Sequence, residues 1–227
     1  MNTRTWIIFA AATIAILAGL VFFSKQNTLN VKGVERFTPF TTQEAVDKVK
    51  SGLPDKIFGA DNAKVVLIEY GDYSCPGCAT LDSSMKRALE SYKDKVTFVF
   101  RHFPITSIHP NSKIAAAYAE AAGLQGKFWE MHKELFTTQR TWVSVSADRR
   151  TELFDSFAKK LGLDMDKLKK DIESPQVSRK IAFDQAIGKE SGVTGTPAVF
   201  LNGKQLTSNK IDTEEAIKNT LKDALAQ

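Results

Sequence analysis

The stretch 65–103 constrains the fold of this chain more than any other part of its sequence. Residues 65–70, VVLIEY, form an apolar run of strand length, which is the pattern of a strand buried on both faces. A helix is predicted from Pro76 to about Tyr92, and residues 96–103, VTFVFRHF, form a second predicted strand. A strand, a helix and a strand in this order indicate a parallel, right-handed unit. The chain is therefore expected to adopt an α/β fold.

A long helical region separates this unit from the last strands. The spacing of apolar residues predicts helices at 111–123, 127–136, 147–161, 166–172 and 176–191. Residues 198–201 then form a predicted strand, and Asn202-Gly203 is a two-residue hairpin signal before a short strand near 205–206. A closing helix is predicted at 213–225. We expect a small mixed sheet that is interrupted by a helical insert at about 110–191.

Both cysteines of the chain, Cys75 and Cys78, lie in the segment SCPGC. A structural disulfide usually closes a longer loop, because its stabilisation grows with loop length. A structural zinc site needs four ligands, and the sequence contains no second cysteine pair and no paired histidine spacing. An inert disulfide and half of a zinc site remain alternatives, but the spacing favours a redox-active dithiol.

The position of the pair also favours redox chemistry. Pro76 suits the first turn of a helix, which places Cys75 at the helix amino terminus. Unpaired N–H groups and the helix dipole favour a thiolate there, whereas Cys78, one turn further on, is expected to be more buried and less reactive. We predict that Cys75 exchanges with the substrate and that Cys78 resolves. Since Gly77 has no side chain to assist, the helix terminus should shift the potential by roughly tens of millivolts toward oxidising. Asp72 is expected to satisfy backbone N–H groups ahead of the helix.

Residues 6–23, WIIFAAATIAILAGLVFF, contain no charge. Such a run spans about 27 Å as a helix, close to the hydrocarbon core of roughly 30 Å. Arg4 before it and Lys25 after it give a slight bias toward a cytoplasmic amino terminus and an extracytoplasmic domain. A cleaved signal peptide is the alternative, but no small-residue cleavage site follows the run. We predict a signal anchor at 1–24, which is one N-terminal transmembrane helix in the cell membrane.

Residues 25–59 are predicted to be a stalk or linker with one short helix. The segment TTQE at 41–44 resembles a capping signature, and glycine and proline then break the helical pattern. The folded domain is therefore expected to span 60–227. The net charge of +5 is of mixed sign along the chain, which indicates a solvated surface and no nucleic-acid partner.

Five segments together resemble the DsbA family of thiol–disulfide oxidoreductases, which have the thioredoxin fold. They are EYGDYSCPGC at 69–78, FVFRHFPI at 98–105, HPNS at 109–112, GKFWEMH at 126–132 and GVTGTPAVFLNG at 192–203. The likeness runs from about Ala60 to the carboxyl terminus and includes the helical insert. It implies a thioredoxin-like fold with an inserted helical subdomain. In one departure, the best-known members have a histidine where this chain has Gly77.

The resemblance also implies roles outside the cysteine pair. Glu69 matches a buried acid that relays the proton of the resolving thiol, although the residue alone would be interpreted as a solvated strand-end glutamate. Pro197 matches a cis-proline beside the dithiol, which leaves the backbone of Thr196 free to pair with a substrate strand. With Pro76 and Gly77, these two residues form the predicted substrate-binding set.

We interpret the chain as an extracytoplasmic thiol–disulfide oxidoreductase that donates the Cys75–Cys78 disulfide to exported proteins with free thiols. By the resemblance, a quinone-linked membrane partner of the DsbB or VKOR kind would reoxidise it. We expect no metal and no organic cofactor, because the dithiol is the reactive group, and a monomer, because no separate dimerisation domain is evident. A reductase or isomerase with the same dithiol is one alternative. A membrane-tethered peptide-binding chaperone with incidental cysteines is another.

Overall fold

The computed structural model describes residues 6, 9–10, 12–18 and 29–227 of the chain. The chain divides into two compact units, Met1–Asn30 and Val31–Gln227. The anchor predicted at 1–24 lies largely outside the described residues. Within the part of the chain that is described, no helix is both long enough and apolar enough to cross a membrane.

The unit Val31–Gln227 contains one mixed sheet. Its strands are β1 (Ile57–Gly59), β2 (Val65–Gly71), β3 (Val96–His102), β4 (Ala198–Leu201) and β5 (Lys204–Gln205). They lie in the order β1-β3-β2-β4-β5, with β2 and β3 parallel and every other pair antiparallel. The predicted parallel pair is confirmed. It lies at the centre of the sheet, where apolar sequences are required on both faces, and every residue of β3 is buried.

Helices cover the sheet. They are α1 (Gln43–Val49), α2 (Pro76–Glu90), α3 (Ser112–Gly123), α4 (Phe128–Thr137), α5 (Gln139–Trp142), α6 (Ala147–Lys160), α7 (Met165–Ile172), α8 (Pro175–Glu190) and α9 (Glu214–Leu225). A 3-10 turn spans Ser208–Lys210. α2 connects β2 to β3, and α3 to α8 lie between β3 and β4, so they form the helical insert.

Aromatic residues hold the insert together and join it to the sheet. Phe128 and Trp142 are buried, which confirms their expected place in the core. Trp129, also expected in the core, is partly buried against it. The Nε1–H of Trp129 donates to the backbone oxygen of Ile57 at 2.9 Å, so α4 is attached directly to β1.

The stalk expected at 25–59 is corrected from Val31 onward, because those residues belong to the folded unit. The reason is Arg101, which lies near the carboxyl end of β3 and is fully buried. Its guanidinium donates to the backbone oxygens of Arg36 at 2.5 Å and Thr38 at 3.1 Å. A buried guanidinium needs such partners, and the supposed stalk supplies them.

A buried ionic network completes this attachment. Asp55 accepts from Arg101 at 2.8 Å and from Lys180 at 2.5 Å, and Lys180 also pairs with Asp184 at 2.7 Å. Burial alone would raise the pKa of Asp55, but Arg101 and Lys180 hold it well below its usual range. Asp55 and Lys180 are 125 residues apart in the sequence, so no local pattern indicates that they meet.

Candidate active site

Cys75 and Cys78 lie where β2 gives way to α2, and both are free thiols. Cys75 is the residue that precedes the first turn of α2, and Pro76 begins that turn. Among the described residues no side chain caps α2. The first backbone N–H groups of the helix are therefore available to the Cys75 sulfur. Cys75 is 8% exposed and Cys78 is 0% exposed. The expected difference in burial is therefore confirmed.

The Cys75 thiol is poised to lose its proton. A hydrogen bond with the Cys78 side chain is the largest effect on the pKa of Cys75, which falls from 9.0 to about 5. Burial opposes the fall, and Thr196 and the backbone N–H groups of Cys78 and Gly77 assist it. The backbone therefore contributes as the helix position predicted, but the neighbouring thiol contributes more.

The Cys78 thiol has the opposite character. Burial raises the pKa of Cys78 well above 9.0, and the hydrogen bond to Cys75 and the nearby charges of Glu69 and Cys75 raise it further. Its sulfur accepts a backbone hydrogen bond from Asp72 at 3.5 Å. At neutral pH the pair therefore holds one thiolate, Cys75, and one thiol, Cys78.

Glu69 is a buried acid, 2% exposed, and is not a solvated strand-end residue. Burial raises the pKa of Glu69 well above 4.5, and the charges of Asp82 and Cys75 add to the effect. Its Oε1 makes no hydrogen bond within the described residues. Gly71 leaves room for it, since a Cβ there would lie 3.0 Å from that oxygen and 2.3 Å from the Phe100 ring. A neutral carboxylic acid near Cys78 is able to supply a proton to its thiolate.

The predicted substrate-binding residues meet beside Cys75. The Thr196–Pro197 peptide bond is cis, as expected. The Cys75 sulfur lies 3.4 Å from the backbone oxygen of Thr196. A Cβ added to Gly77 would lie 3.2 Å from Pro197 Cδ and 3.6 Å from the Cys75 sulfur, so glycine permits this close approach. Pro76 and Gly77 are exposed at the same surface. Their role in binding substrate stays a prediction.

Asp72 organises the turn that carries the cysteines. Its Oδ1 accepts from the Ser74 N–H at 2.8 Å, and its Oδ2 accepts from the Ile105 N–H at 2.9 Å. Its backbone oxygen accepts from the Cys75 N–H at 3.0 Å. The expectation that Asp72 satisfies backbone N–H groups ahead of the helix is confirmed.

Gln139 is a site residue that the sequence analysis missed. From α5 in the insert, its Nε2 donates to the backbone oxygens of Tyr73 at 2.7 Å and Cys75 at 2.9 Å. The insert therefore holds the active-site turn through two hydrogen bonds from Gln139. A single glutamine between threonine and arginine offers no sequence signal for this contact, because it depends on tertiary packing.

One group of buried side chains has the ligand types and spacing of a metal site. His102, Glu120 and Asp184 bring their ligand atoms within 4.8 Å of one another. The group is already paired internally, however, since His102 Nε2 lies 2.9 Å from Glu120 and the Lys180 ammonium lies 2.7 Å from Asp184. Lys180 thus supplies the positive charge that a bound cation would bring.

Sequence comparison agrees with this geometry. A family model described as thioredoxin matches residues 53–223. A Na(+)/H(+) antiporter NhaA 1 from Salinispora arenicola is 32% identical over 204 residues, covering 86% of this chain and 30% of the antiporter. The chain thus spans about a third of the length of the curated relatives it matches.

Two solved structures share the fold. A thioredoxin-like oxidoreductase from Silicibacter pomeroyi DSS-3 has a TM-score of 0.61 at 26% identity, over 76% of this chain and 90% of the other. MdbA, a thiol-disulfide oxidoreductase from Corynebacterium diphtheriae, has a TM-score of 0.60 at 25% identity, over 74% of this chain and 91% of the other. Together with the dithiol site, these matches establish that the chain belongs to the thioredoxin family and is an oxidoreductase of the thiol–disulfide kind.

Proposed function

We propose that the chain oxidises exported proteins by donating a Cys75–Cys78 disulfide to pairs of free thiols. The observation that carries the proposal is the opposite pKa shift of the two thiols, downward for Cys75 and upward for Cys78. A stable Cys75 thiolate favours the reduced pair, so the disulfide form is the one that gives up its bond.

The reaction proceeds in two exchanges. A client thiolate attacks the Cys75 sulfur, the Cys75–Cys78 bond breaks, and the electron pair leaves on Cys78, which takes a proton from Glu69. A second client thiolate then attacks the client sulfur of the mixed disulfide. Cys75 leaves as a thiolate, and a low thiol pKa makes it a fast leaving group. The client gains a disulfide and the chain is left as a dithiol.

The proposal extends to location and partners. The uncharged run 6–23 would anchor the chain in the cell membrane with the amino terminus in the cytoplasm and the catalytic domain outside. A quinone-linked membrane protein of the DsbB or VKOR kind would reoxidise the dithiol of a monomeric chain. The reaction uses no metal or organic cofactor, because both electrons reside on the dithiol. Retention in the membrane fraction after a high-salt wash tests the anchor.

The likeness to part of an antiporter covers 30% of that protein, so it does not extend transport activity to this chain. The disulfide-exchange chemistry rests on the dithiol site and on the likeness to oxidoreductases that cover most of their own length.

Alkylation trapping of the cysteine pair in intact cells tests the proposed direction. A donor is expected to be found mainly oxidised, and the purified disulfide form should convert a reduced two-cysteine peptide to its disulfide. A pair that is mainly reduced in cells, and that reduces the oxidised peptide, would instead establish the reductase alternative. A variant lacking both cysteines should lose the whole activity; a peptide-binding chaperone would keep it.

A further inference from the structure

The chain has three histidines, and one of them differs from the others in its contacts. His132 has both ring nitrogens bonded, with Tyr73 at 3.0 Å and Asp82 at 2.9 Å, and its side chain is 6% exposed. His102 pairs with Glu120 and is 1% exposed. The side chain of His109 is 18% exposed, and among the described residues no hydrogen bond to its Nε2 is found.

The other nitrogen of His109 is firmly held. Its Nδ1 lies 2.8 Å from Asp72 Oδ2. A carboxylate only accepts hydrogen bonds, so Nδ1 carries the hydrogen and Nε2 keeps the basic lone pair. The His109 N–H donates to the backbone oxygen of Ile105 at 2.9 Å, and the Ile105 N–H donates to Asp72. Both the ring and the backbone of His109 are therefore oriented.

The same aspartate connects His109 to the reactive cysteine. The backbone oxygen of Asp72 accepts from the Cys75 N–H at 3.0 Å, and its buried carboxylate binds His109. Ile108, next to His109, is 67% exposed, so this loop presents apolar surface beside the active-site turn. Hydrogen bonds through Asp72 therefore join the loop that carries His109 to the turn that carries Cys75.

We propose that Asp72 and His109 form a carboxylate–imidazole pair in which His109 Nε2 removes the proton from an incoming client thiol. The proposal rests on the proposed function, since it concerns the client side of the first exchange. The client S–H bond breaks, its proton goes to Nε2, and the resulting thiolate attacks the Cys75 sulfur. The Cys75–Cys78 bond breaks, and its electron pair leaves on Cys78. The imidazolium then returns its proton to water.

The chemistry explains why such a base is useful. An ordinary cysteine has a pKa of about 8.5, so roughly 3% of client thiols are ionised at pH 7. Only the thiolate attacks a disulfide, and a positioned base raises its supply in the transition state. Two of the other ionisable groups around this loop are buried: Cys78, whose sulfur accepts from the Asp72 N–H, and His102, which is linked to Glu120 and Asp184. Two cations lie nearer to solvent: Arg150, which is partly buried and donates to Asn111 Oδ1 at 2.8 Å, and Lys113, which is exposed.

His109→Asn tests the proposal in the full chain. An asparagine amide is able to replace the Nδ1–H donor to Asp72, but it has no base at the Nε2 position. The disulfide forms of the variant and the wild type are mixed with a reduced two-cysteine peptide, and the first exchange is timed at pH 7 and pH 9.5. We expect the variant to be about tenfold slower at pH 7, since full ionisation of a thiol that is roughly 3% ionised would raise the thiolate supply by about thirtyfold at most. At pH 9.5 the two rates should agree, because the peptide thiol ionises unaided.

Three controls separate a chemical role of His109 from a structural one. Lys113→Gln, an exposed change on α3, should follow the wild type at both pH values. The thiolate absorbance of reduced Cys75 should titrate alike in His109→Asn and the wild type. His109→Gln carries its amide one carbon further out and so has no donor at the Nδ1 position that binds Asp72. It should show the same loss at pH 7 even if its melting temperature falls.

Equal rates at pH 7, or a deficit of the same size at both pH values, would overturn the assignment of His109. A wild-type chain that fails to oxidise the peptide at any pH would overturn the proposed function instead. The two failures are therefore distinguishable.

Discussion

Only two residues separate Cys75 from Cys78, yet their thiols have opposite properties. Cys75 is 8% exposed and has donors around its sulfur, whereas Cys78 is fully buried one helical turn away. The low pKa of Cys75 depends first on Cys78 itself. The Cys78 thiol thus stabilises the negative charge of the Cys75 thiolate through their hydrogen bond.

Cys78→Ser should accumulate mixed disulfides with client proteins through Cys75, because no second thiol is present to resolve them. Cys75→Ser should accumulate none, since Cys78 is buried and keeps its proton. Cys78→Ala removes the hydrogen bond to Cys75 altogether, so the pKa of Cys75 should rise above its wild-type value in that variant. Non-reducing gels and mass spectrometry detect the adducts. Equal trapping by both variants would contradict the assigned roles.

Glu69→Gln should abolish the decrease in the free energy of unfolding that Glu69 causes as the pH rises. The pKa of Glu69 in the folded chain lies above its ordinary value of 4.5, so the folded state holds a proton that the unfolded state has lost. The free energy of unfolding of the wild type therefore falls as pH rises from about 4.5 toward the folded pKa. Glutamine has no proton to lose, so the fall should disappear.

Urea unfolding from pH 4 to pH 8 measures this effect. The stability of Glu69→Gln relative to the wild type should increase with pH. Glu152→Gln, at an exposed ion pair, serves as the control and should retain the wild-type slope. Parallel curves for Glu69→Gln and the wild type would mean that Glu69 is already ionised in the folded chain.

At the scale of elements, local sequence patterns predicted the helices and strands that short segments form on their own. The β2–α2–β3 unit follows from an apolar run, a proline-started helix and a second apolar run. The contacts made between distant elements were not predictable in this way. Gln139 reaches the Cys75 turn from the insert, and Arg101 reaches the backbone of residues 36 and 38 from the carboxyl end of β3. Such pairings depend on which side chains the complete fold brings together.

Asp55→Asn tests whether residues before 60 belong to the folded domain. Removing one partner of a buried ion pair typically costs about 3–5 kcal/mol, because the buried charge of Arg101 loses its carboxylate partner and Lys180 keeps only Asp184. The midpoint of urea unfolding should fall accordingly. Asp47→Asn, an exposed change on α1, should leave it almost unchanged. Similar midpoints for both variants would show that the segment is a stalk after all.

At the scale of the whole molecule, the oxidised and reduced forms are expected to differ in their free energy of unfolding. The sequence allowed the prediction that a thiolate at Cys75 favours the reduced form, but it underestimated the effect. Gly77 has no side chain, yet its backbone N–H contributes, and the largest donor is Cys78. These donors come together around the Cys75 sulfur only when the first turn of α2 has formed. The size of the shift therefore could not be estimated from helix position alone.

The opposing contribution comes from the disulfide. The loop from Cys75 to Cys78 has four residues, and closing a loop of that length in the unfolded chain stabilises the oxidised form by about 2 kcal/mol. This contribution does not depend on pH. The thiolate contribution does, because the pKa of Cys75 falls from 9.0 to about 5 on folding. It grows by about 1.4 kcal/mol for each pH unit above the folded pKa and is lost as pH falls to that value.

The two contributions should balance between about pH 6 and pH 7. Below the balance point the oxidised form should melt higher, and above it the reduced form should melt higher. The reduced form gains stability in this way only up to about pH 9. Above that pH the Cys78 thiol ionises in the unfolded chain but keeps its proton in the folded chain, because its pKa is raised there, so the reduced form loses stability. Thermal melts of both redox forms of the full chain at pH 5, 6, 7 and 8 measure the crossing. An oxidised form that melts higher throughout would mean that the thiolate is not stabilised, and the chain would then be a better reductase than oxidant.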